Sequence, residues 1–375
     1  MQNSVSPEYP WYSITDVKDI PSPSLLIYPG RIEVNIGKMI SIAGDPARLM
    51  PHVKTHKMAE VVRLQLNHGI SKFKCATIAE AEMTAGAGAN EILLALQPAG
   101  PNIDRFFTLQ QAFPAVEFSC IVDSLEVAAE LSEAAGQKNL TATLWLDINN
   151  GMNRTGIPPD KEAIGLFGFI LSHRTLKAKG LHVYDGHLHE PDFSERKKSC
   201  DEAFKPVKTL YEELIRLSGH ELSVVAGGTP TFPVHALRPR VETSPGTALL
   251  WDYGYSSAFS DLDFLHAAVV LTRVISKPAK DLICIDLGHK AVASEFPQPR
   301  VWLPALDQYE ITGHNEEHMV IRSAKASALK VGDVLYGIPY HICPTVDRYD
   351  TVTVVTGGAA SDEWRVAARK RRITV

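Results

Sequence analysis

The feature that most constrains this chain is an alternation. Between residues 48 and 244, apolar strand-like runs are separated by longer stretches with helical periodicity. That rhythm is the mark of βαβ units, which build parallel sheets flanked by helices. Eight runs are found, at 48–54, 72–77, 91–96, 117–123, 141–148, 177–184, 222–226 and 240–244. They predict an α/β fold closed as a (β/α)8 TIM-type barrel. Among the intervening helices, 77–88 shows the pattern: Ile78, Ala81 and Ala85 form an apolar face, Glu80 and Glu82 a polar one, and Gly86 and Gly88 stand near the end.

After about residue 255 the texture changes to shorter β-rich runs at 267–275, 282–287 and 351–355, broken by glycine and proline turns. This predicts a C-terminal, mostly-β domain. The expected division is 25–255 for the barrel and 1–24 with 256–375 for the β domain. The run at 24–28, followed by a helix from about 31 to 43, reads as an extra strand able to complete the second domain.

Composition narrows the function classes. The 38 Lys+Arg against 43 Asp+Glu give a net charge of −5 and no broad basic footprint, so no nucleic-acid partner is expected. The one basic run, Arg369-Lys370-Arg371-Arg372, reads as a solvated tail. Five cysteines, scattered without a repeating interval, fit reduced thiols and a cytoplasmic location. Residues 1–20 lack a basic start and an apolar core, and no apolar run reaches the length of a bilayer span, so no membrane association is expected.

In a (β/α)8 barrel the chemistry lies at the C-terminal ends of the strands, and the unusual residues fall there. Lys54 closes the first run inside Pro51-His52-Val53-Lys54-Thr55-His56-Lys57, placed to hold an aldehyde cofactor as a Schiff base. Arg154, in the glycine-bounded loop Asn149-Asn150-Gly151-Met152-Asn153-Arg154-Thr155-Gly156, can donate to an anionic oxygen. Tyr184 offers a ring that can lie against a flat cofactor. Gly227, Gly228 and Thr229 follow the seventh run, and Gly246 and Thr247 the eighth, where barrels commonly bind phosphate with backbone N–H groups. His187 and His189 alternate with Leu188, so on a continuing strand they share one face and are candidate bases. In the second domain, His341 and Cys343 project together if they stand on a strand, as two ligands of a borderline divalent metal.

With these residues in place, the chain resembles the D-threonine aldolase and D-serine dehydratase group, which shares the fold of bacterial alanine racemase. The likeness is carried by residues 51–57, by Phe73-Lys74-Cys75-Ala76-Thr77-Ile78-Ala79-Glu80-Ala81-Glu82, and by Gly151-Met152-Asn153-Arg154-Thr155-Gly156. It continues through Gly227-Gly228-Thr229-Pro230-Thr231, Asp286-Leu287-Gly288-His289-Lys290-Ala291 and His341-Ile342-Cys343-Pro344-Thr345. The resemblance implies a barrel binding pyridoxal 5'-phosphate (PLP) plus a β domain. It implies that Lys54 bonds covalently to the cofactor, Arg154 lies beside its phenolic oxygen, Tyr184 lies next to the pyridine ring, and His341 and Cys343 bind Zn2+ or Mn2+. It also implies a homodimer.

The expected substrate is a D-3-hydroxy amino acid. For an aldolase, His189 or His187 removes the hydroxyl proton and the Cα–Cβ bond breaks, D-threonine giving glycine and acetaldehyde. For a D-serine or 3-hydroxyaspartate dehydratase, Lys54 takes the Cα proton instead. The stretch 286–295 looks more like the aldolase branch, whereas the thiol of Cys343 is similar to the zinc site of the dehydratases. An amino-acid racemase and a PLP-binding regulatory protein are the remaining alternatives. The racemase needs a second base and no metal, and single-domain regulatory proteins lack the domain carrying His341 and Cys343.

Overall fold

The computed structural model describes residues 10–375. Residues 1–9, part of the expected second domain and of the N-terminal segment discussed above, lie outside the described residues. The chain opens with β1 (Ser24–Ile27) and a helix over Pro29–Ala43. It then runs through β2 (Lys72–Cys75), β3 (Glu91–Leu94), β4 (Glu117–Val122), β5 (Ala142–Ile148), β6 (Leu176–Val183), β7 (Ser223–Ala226) and β8 (Val241–Thr243). These last seven form one parallel sheet in sequence order, each pair separated by a helix. Their inward residues, with Met50, Leu93, Ile121, Trp145 and Val225 at the centre, make a packed interior.

The first expected strand is corrected by the structure. Over 46–55 the chain makes two 3-10 turns, Pro46–Arg48 and Val53–Thr55, because Pro46 and Pro51 lack the N–H that a ladder needs and Asp45 and His52 cap the turns with their side chains. The backbone between the turns nonetheless links the two edges of the sheet. Met50 N donates to Thr243 O and His52 N to Pro245 O, each at 2.9 Å, while Lys74 N donates to Pro51 O at 2.9 Å. Parallel bridges Leu49–Thr243 and His52–Lys74 complete the ring. Seven regular strands and one irregular segment therefore close the barrel.

The helix expected at 77–88 spans Ile78–Gly86, with Thr77 Oγ1 accepting from Glu80 N at 3.1 Å. Its expected polar face is corrected: Glu80 and Glu82 are both buried. Glu80 accepts from Ala76 N and from Lys57 Nζ, each at 2.6 Å. Glu82 accepts from Thr374 N at 3.0 Å and from the Thr374 hydroxyl. The tail after the basic run is thus tied down, and Arg105 Nη2 donates to Val375 O at 2.9 Å and to Arg371 O at 3.1 Å.

The remaining strands are β9 (Ala268–Ala279), β10 (Leu282–Ile285), β11 (Val301–Trp302), β12 (Glu310–His314), β13 (Met319–Arg322), β14 (Val334–Pro339), β15 (Thr351–Thr356) and β16 (Ala359–Arg365). With β1 they form a nine-stranded sheet in which β9 pairs with β10, β1 and β14, and β1 runs parallel to β15. Its core gathers Leu26, Tyr28, Val269, Leu271, Ile338 and Val355. The contacts split the chain into one unit of Ile36–Ala248, Phe259–Leu262 and Ala367–Val375, and another of Met1–Asn35, Leu249–Ala258 and Asp263–Val366. The sheet pairing of β1 and the anchored tail are why this division departs from boundaries at 25 and 255. No described helix is long and apolar enough to cross a membrane, and none of the five cysteines is in a disulfide.

Candidate active site

Lys54 sits in the turn Val53–Thr55, and the imidazoles flanking it serve the backbone. His52 Nδ1 accepts from Lys54 N at 3.3 Å, and His56 Nδ1 accepts from Met58 N at 3.2 Å. Both rings are held neutral. Burial, then Lys54, Lys74, His182 and Lys57, keep His52 well below the ordinary imidazole range, and burial pushes His56 down to about 3. The turn ends at Lys57, whose φ of +55° lies in the left-handed region and whose ammonium meets Glu80 at 2.6 Å.

Tyr184, just past β6, is the point of convergence. Arg154 Cζ lies 4.6 Å from its ring centroid, Lys74 Nζ 5.7 Å and Lys54 Nζ 5.8 Å. Glycines make room for the ring: a Cβ on Gly186 would fall 2.5 Å from Tyr184 Cζ, and one on Gly228 3.1 Å from Cε2. Beneath these groups lies a polar layer. His182 Nδ1 and Asp147 Oδ1 are 2.7 Å apart, and His182 Nε2 and Asp147 Oδ2 are buried without a partner. Burial disfavours the Asp147 carboxylate, but His182, Thr155 and Arg154 outweigh it and hold its pKa below the usual range. Burial keeps His182 below its ordinary value despite Asp147.

The two expected phosphate loops are tied together. Thr229 Oγ1 accepts from both Gly246 N and Thr247 N at 3.1 Å. Gly246 packs on the lysine turn so closely that a Cβ there would sit 3.0 Å from His52 O. Gly228 N donates to Thr231 Oγ1 at 3.2 Å, whereas Gly227 N donates to Val183 O. Gly227 is needed sterically, since its φ is +81° and a Cβ would meet His235 at 2.8 Å.

Asp185 anchors this loop from behind. It is fully buried and accepts from Thr231 Oγ1 at 2.6 Å and from His235 Nε2 at 2.7 Å, with Cys200 Sγ at 3.4 Å. Asp185, Cys200 and His235 are close enough to hold an ion. Arg238 Nη1, however, lies 2.9 Å from His235 Nδ1 and can only donate, so the ring hydrogen is on Nε2 and points at Asp185. The cluster supports the loop rather than a metal.

The geometry expected of His187 and His189 is corrected. β6 ends at Val183, and Leu188 N donates to Asp185 O in a turn, so the pair does not stand on a strand. Half-buried His187 lies against the Arg154 loop, with Nε2 3.0 Å from where a Cβ on Gly151 would be, and its Nδ1 is buried without a partner. His189 is exposed and its Nδ1 bonds to His187 O at 2.7 Å.

In the other unit, His341 and Cys343 are not on a strand either. The helix Ile342–Val346 begins between them, with Asp252 Oδ2 accepting from Ile342 N at 3.0 Å. The side chains still meet, through a hydrogen bond between His341 and Cys343. His341 Nδ1 lies 2.5 Å from Glu295 Oε1. Burial lowers the His341 pKa, but Cys343 and Glu295 overcome it and raise it to about 9. A carboxylate on Nδ1 fixes the tautomer that leaves Nε2 as a metal ligand, so the donor set of an imidazole, a thiol and a supporting acid fits a borderline divalent ion.

The barrel mouth likewise fits PLP: the amines of Lys54 and Lys74 and the Arg154 guanidinium surround the Tyr184 ring, and among the described residues Asp147, His182 and His187 keep buried polar atoms without a partner. Sequence reasoning missed Lys74, Asp147, His182, Asp185, Thr231 and Glu295. Asp147 did leave a signal, as the one charged residue inside a fully buried, mostly apolar strand.

Comparison with known proteins agrees with this fold. Residues 27–254 match the family model described as "Alanine racemase, N-terminal domain", and residues 267–355 the one described as "Putative serine dehydratase domain". A D-threonine aldolase of Arthrobacter sp is 28% identical over 358 residues, covering 93% of each chain. A D-threo-3-hydroxyaspartate dehydratase of Delftia sp. (strain HT23) is 24% identical over 371 residues, covering 92% of this chain and 96% of the relative. The crystal structure of D-threonine aldolase from Filomicrobium marinum superposes with a TM-score of 0.83 at 26% identity, covering 93% of this chain and 96% of that one.

Proposed function

The chain belongs to the family of the alanine racemase N-terminal domain, and on that premise we propose that it is a PLP- and divalent-metal-dependent lyase that cleaves D-3-hydroxy amino acids, with D-threonine as substrate and glycine and acetaldehyde as products. The observation that carries the reading is the gathering of Lys54, Lys74 and Arg154 on the Tyr184 face, beside the paired loops at 227–229 and 246–247. Lys54 would hold the cofactor through its aldehyde carbon, Arg154 would donate to the phenolic oxygen, Tyr184 would pack on the ring, and Gly228, Thr229, Gly246 and Thr247, with Gly227 shaping the turn, would receive the phosphate. The bound cofactor supplies an electron sink for bond cleavage at Cα.

His341 and Cys343 would hold Zn2+ or Mn2+, which would supply Lewis acidity toward oxygen. His187 is the preferred base for the hydroxyl proton because its Nδ1 has no protein partner, whereas that of His189 is spent on the backbone. The aldolase reading is favoured by the 286–295 stretch, whose Glu295 is built into the His341 site. A second reading, dehydration of D-serine or D-3-hydroxyaspartate, is favoured by the thiol at Cys343, and in it Lys54 takes the Cα proton.

The test is incubation of purified enzyme, PLP and Mn2+ or Zn2+ with D-threonine, D-serine or D-3-hydroxyaspartate, assayed for aldehyde plus glycine and for ammonia plus keto acid. Acetaldehyde from D-threonine is expected. Ammonia from D-serine without aldehyde from D-threonine would replace the aldolase reading by the dehydratase one. We also propose a homodimer, to be checked by the mass of the holoenzyme in solution.

A further inference from the structure

Two lysines, not one, enter the barrel mouth. Lys74 stands on β2 with only 3% of its surface exposed, and its backbone is fixed by the bond from Lys74 N to Pro51 O. Its Nζ lies as close to the Tyr184 ring as that of Lys54, 5.7 against 5.8 Å, with Arg154 on the same ring. A side chain so deeply buried does not serve solubility, and burial and the charge of Lys54 outweigh the attraction of Asp147 and Asp185 for its ammonium. Around it stand Lys54 and His52 from the closing segment, Asp147 from β5, Arg154 from the loop after β5, and His182, Tyr184 and Asp185 from β6 and its end.

We propose that Lys74 is a second cofactor-directed amine, a positioning residue that donates to the phenolic oxygen of the PLP ring alongside Arg154. The inference rests on the PLP reading given above. An ammonium at that oxygen competes for the electron density that otherwise holds a proton on the nitrogen contributed by Lys54, and it repels positive charge there as well. Burial, then the charge of Lys54, lowers the Lys74 pKa to about 7. An anionic oxygen in contact reverses that tendency and keeps the amine charged. The role is therefore conditional on the cofactor: without PLP the amine is a poorly solvated cation, and with PLP it gains a partner.

This conditionality separates the proposal from a structural role. Lys74→Met keeps the length and removes the charge. In the cofactor-free protein the variant should unfold at the same or higher temperature than wild type, because an ammonium disfavoured by burial and by Lys54 is lost. In the PLP-loaded protein its cofactor affinity should fall about tenfold or more, as for loss of a charge-assisted bond. The visible band should titrate at a higher pH, by roughly one unit. Lys74→Arg, which keeps a donor, should restore part of both.

Borohydride reduction followed by peptide mapping fixes the premise independently. Failure of the wild-type protein to bind PLP covalently at Lys54 would overturn the cofactor reading itself. A Lys54 adduct in wild type, with the affinity and titration of Lys74→Met unchanged, would overturn only the role of Lys74. A variant that loses stability without cofactor as much as it loses affinity would assign Lys74 to the scaffold and also overturn the proposal.

Discussion

Replacing Asp185 tests whether the loop at 227–231, proposed to receive the cofactor phosphate, is anchored as the geometry indicates. The carboxylate takes three donors: Thr231 Oγ1 at 2.6 Å, His235 Nε2 at 2.7 Å and, more weakly, Cys200 Sγ at 3.4 Å. In Asp185→Asn one oxygen becomes an NH2, which must face a donor whichever way the amide turns. His235 cannot adapt, because Arg238 holds its Nδ1 as an acceptor, so the amide turns toward Thr231, whose hydroxyl then loses its acceptor. One buried bond lost and one group left imperfectly paired cost about 2 kcal/mol. Asp185→Ala strips all three donors and costs about 4 kcal/mol. Thr231 also accepts from Gly228 N, so the loop loosens and PLP affinity should fall about tenfold, equivalent to about 1.4 kcal/mol.

Urea unfolding of the cofactor-free protein, followed by tryptophan fluorescence, measures the first quantity, and PLP titration the second. The pH dependence has a fixed sign. Burial raises the Asp185 pKa, but His235, Thr231 and Cys200 together hold it below the ordinary carboxylate value. Its contribution is therefore fully present above the unfolded pKa and is lost as pH falls through the depressed folded one, so wild type and Asp185→Asn should converge in acid. An Asn variant within about 0.5 kcal/mol of wild type at pH 7, with unchanged PLP affinity, would refute the anchoring role.

Other substitutions probe the rest of the site. Lys54→Ala should abolish the borohydride-trapped adduct and the visible band, read by mass and absorbance; a retained adduct elsewhere would move the reactive amine. Gly246→Ala places a Cβ 3.0 Å from His52 O, so the lysine turn and the phosphate loop must shift apart, with PLP affinity down about tenfold by titration and Gly246→Ser no better. Glu295→Gln weakens the hold on His341 Nδ1 and should lower Zn2+ affinity about 10–100-fold by competition with a chelator, with PLP absorbance unchanged.

Strands such as β3, β5 and β7 were legible because they are buried almost throughout and read as short, mostly apolar runs, which local sequence reports directly. The first expected strand of the barrel was misread because Pro51 and the capping side chain of His52 override an apolar run that is otherwise strand-like. Glu80 and Glu82 look like the wet face of a helix, and nothing nearby in sequence tells that Lys57 and Thr374 meet them in the interior. The same distance in sequence hid Asp185 behind the 227–231 loop and Glu295 beside His341, whereas Lys54, Arg154 and Tyr184 could be placed because each directly follows, or lies in the loop after, a strand-like run. The short helix after His341 escaped notice because five residues carry no periodicity to detect.

The irregular stretch at 49–52 joins both edges of the sheet and leads straight into the turn of Lys54. The barrel's seam and the amine proposed to hold the cofactor are thus one piece of chain. Cutting and rejoining the protein at an outer helix leaves the cylinder whole, but an insertion here would unfasten architecture and chemistry in the same stroke, so new specificity has to be sought in the other loops of the rim.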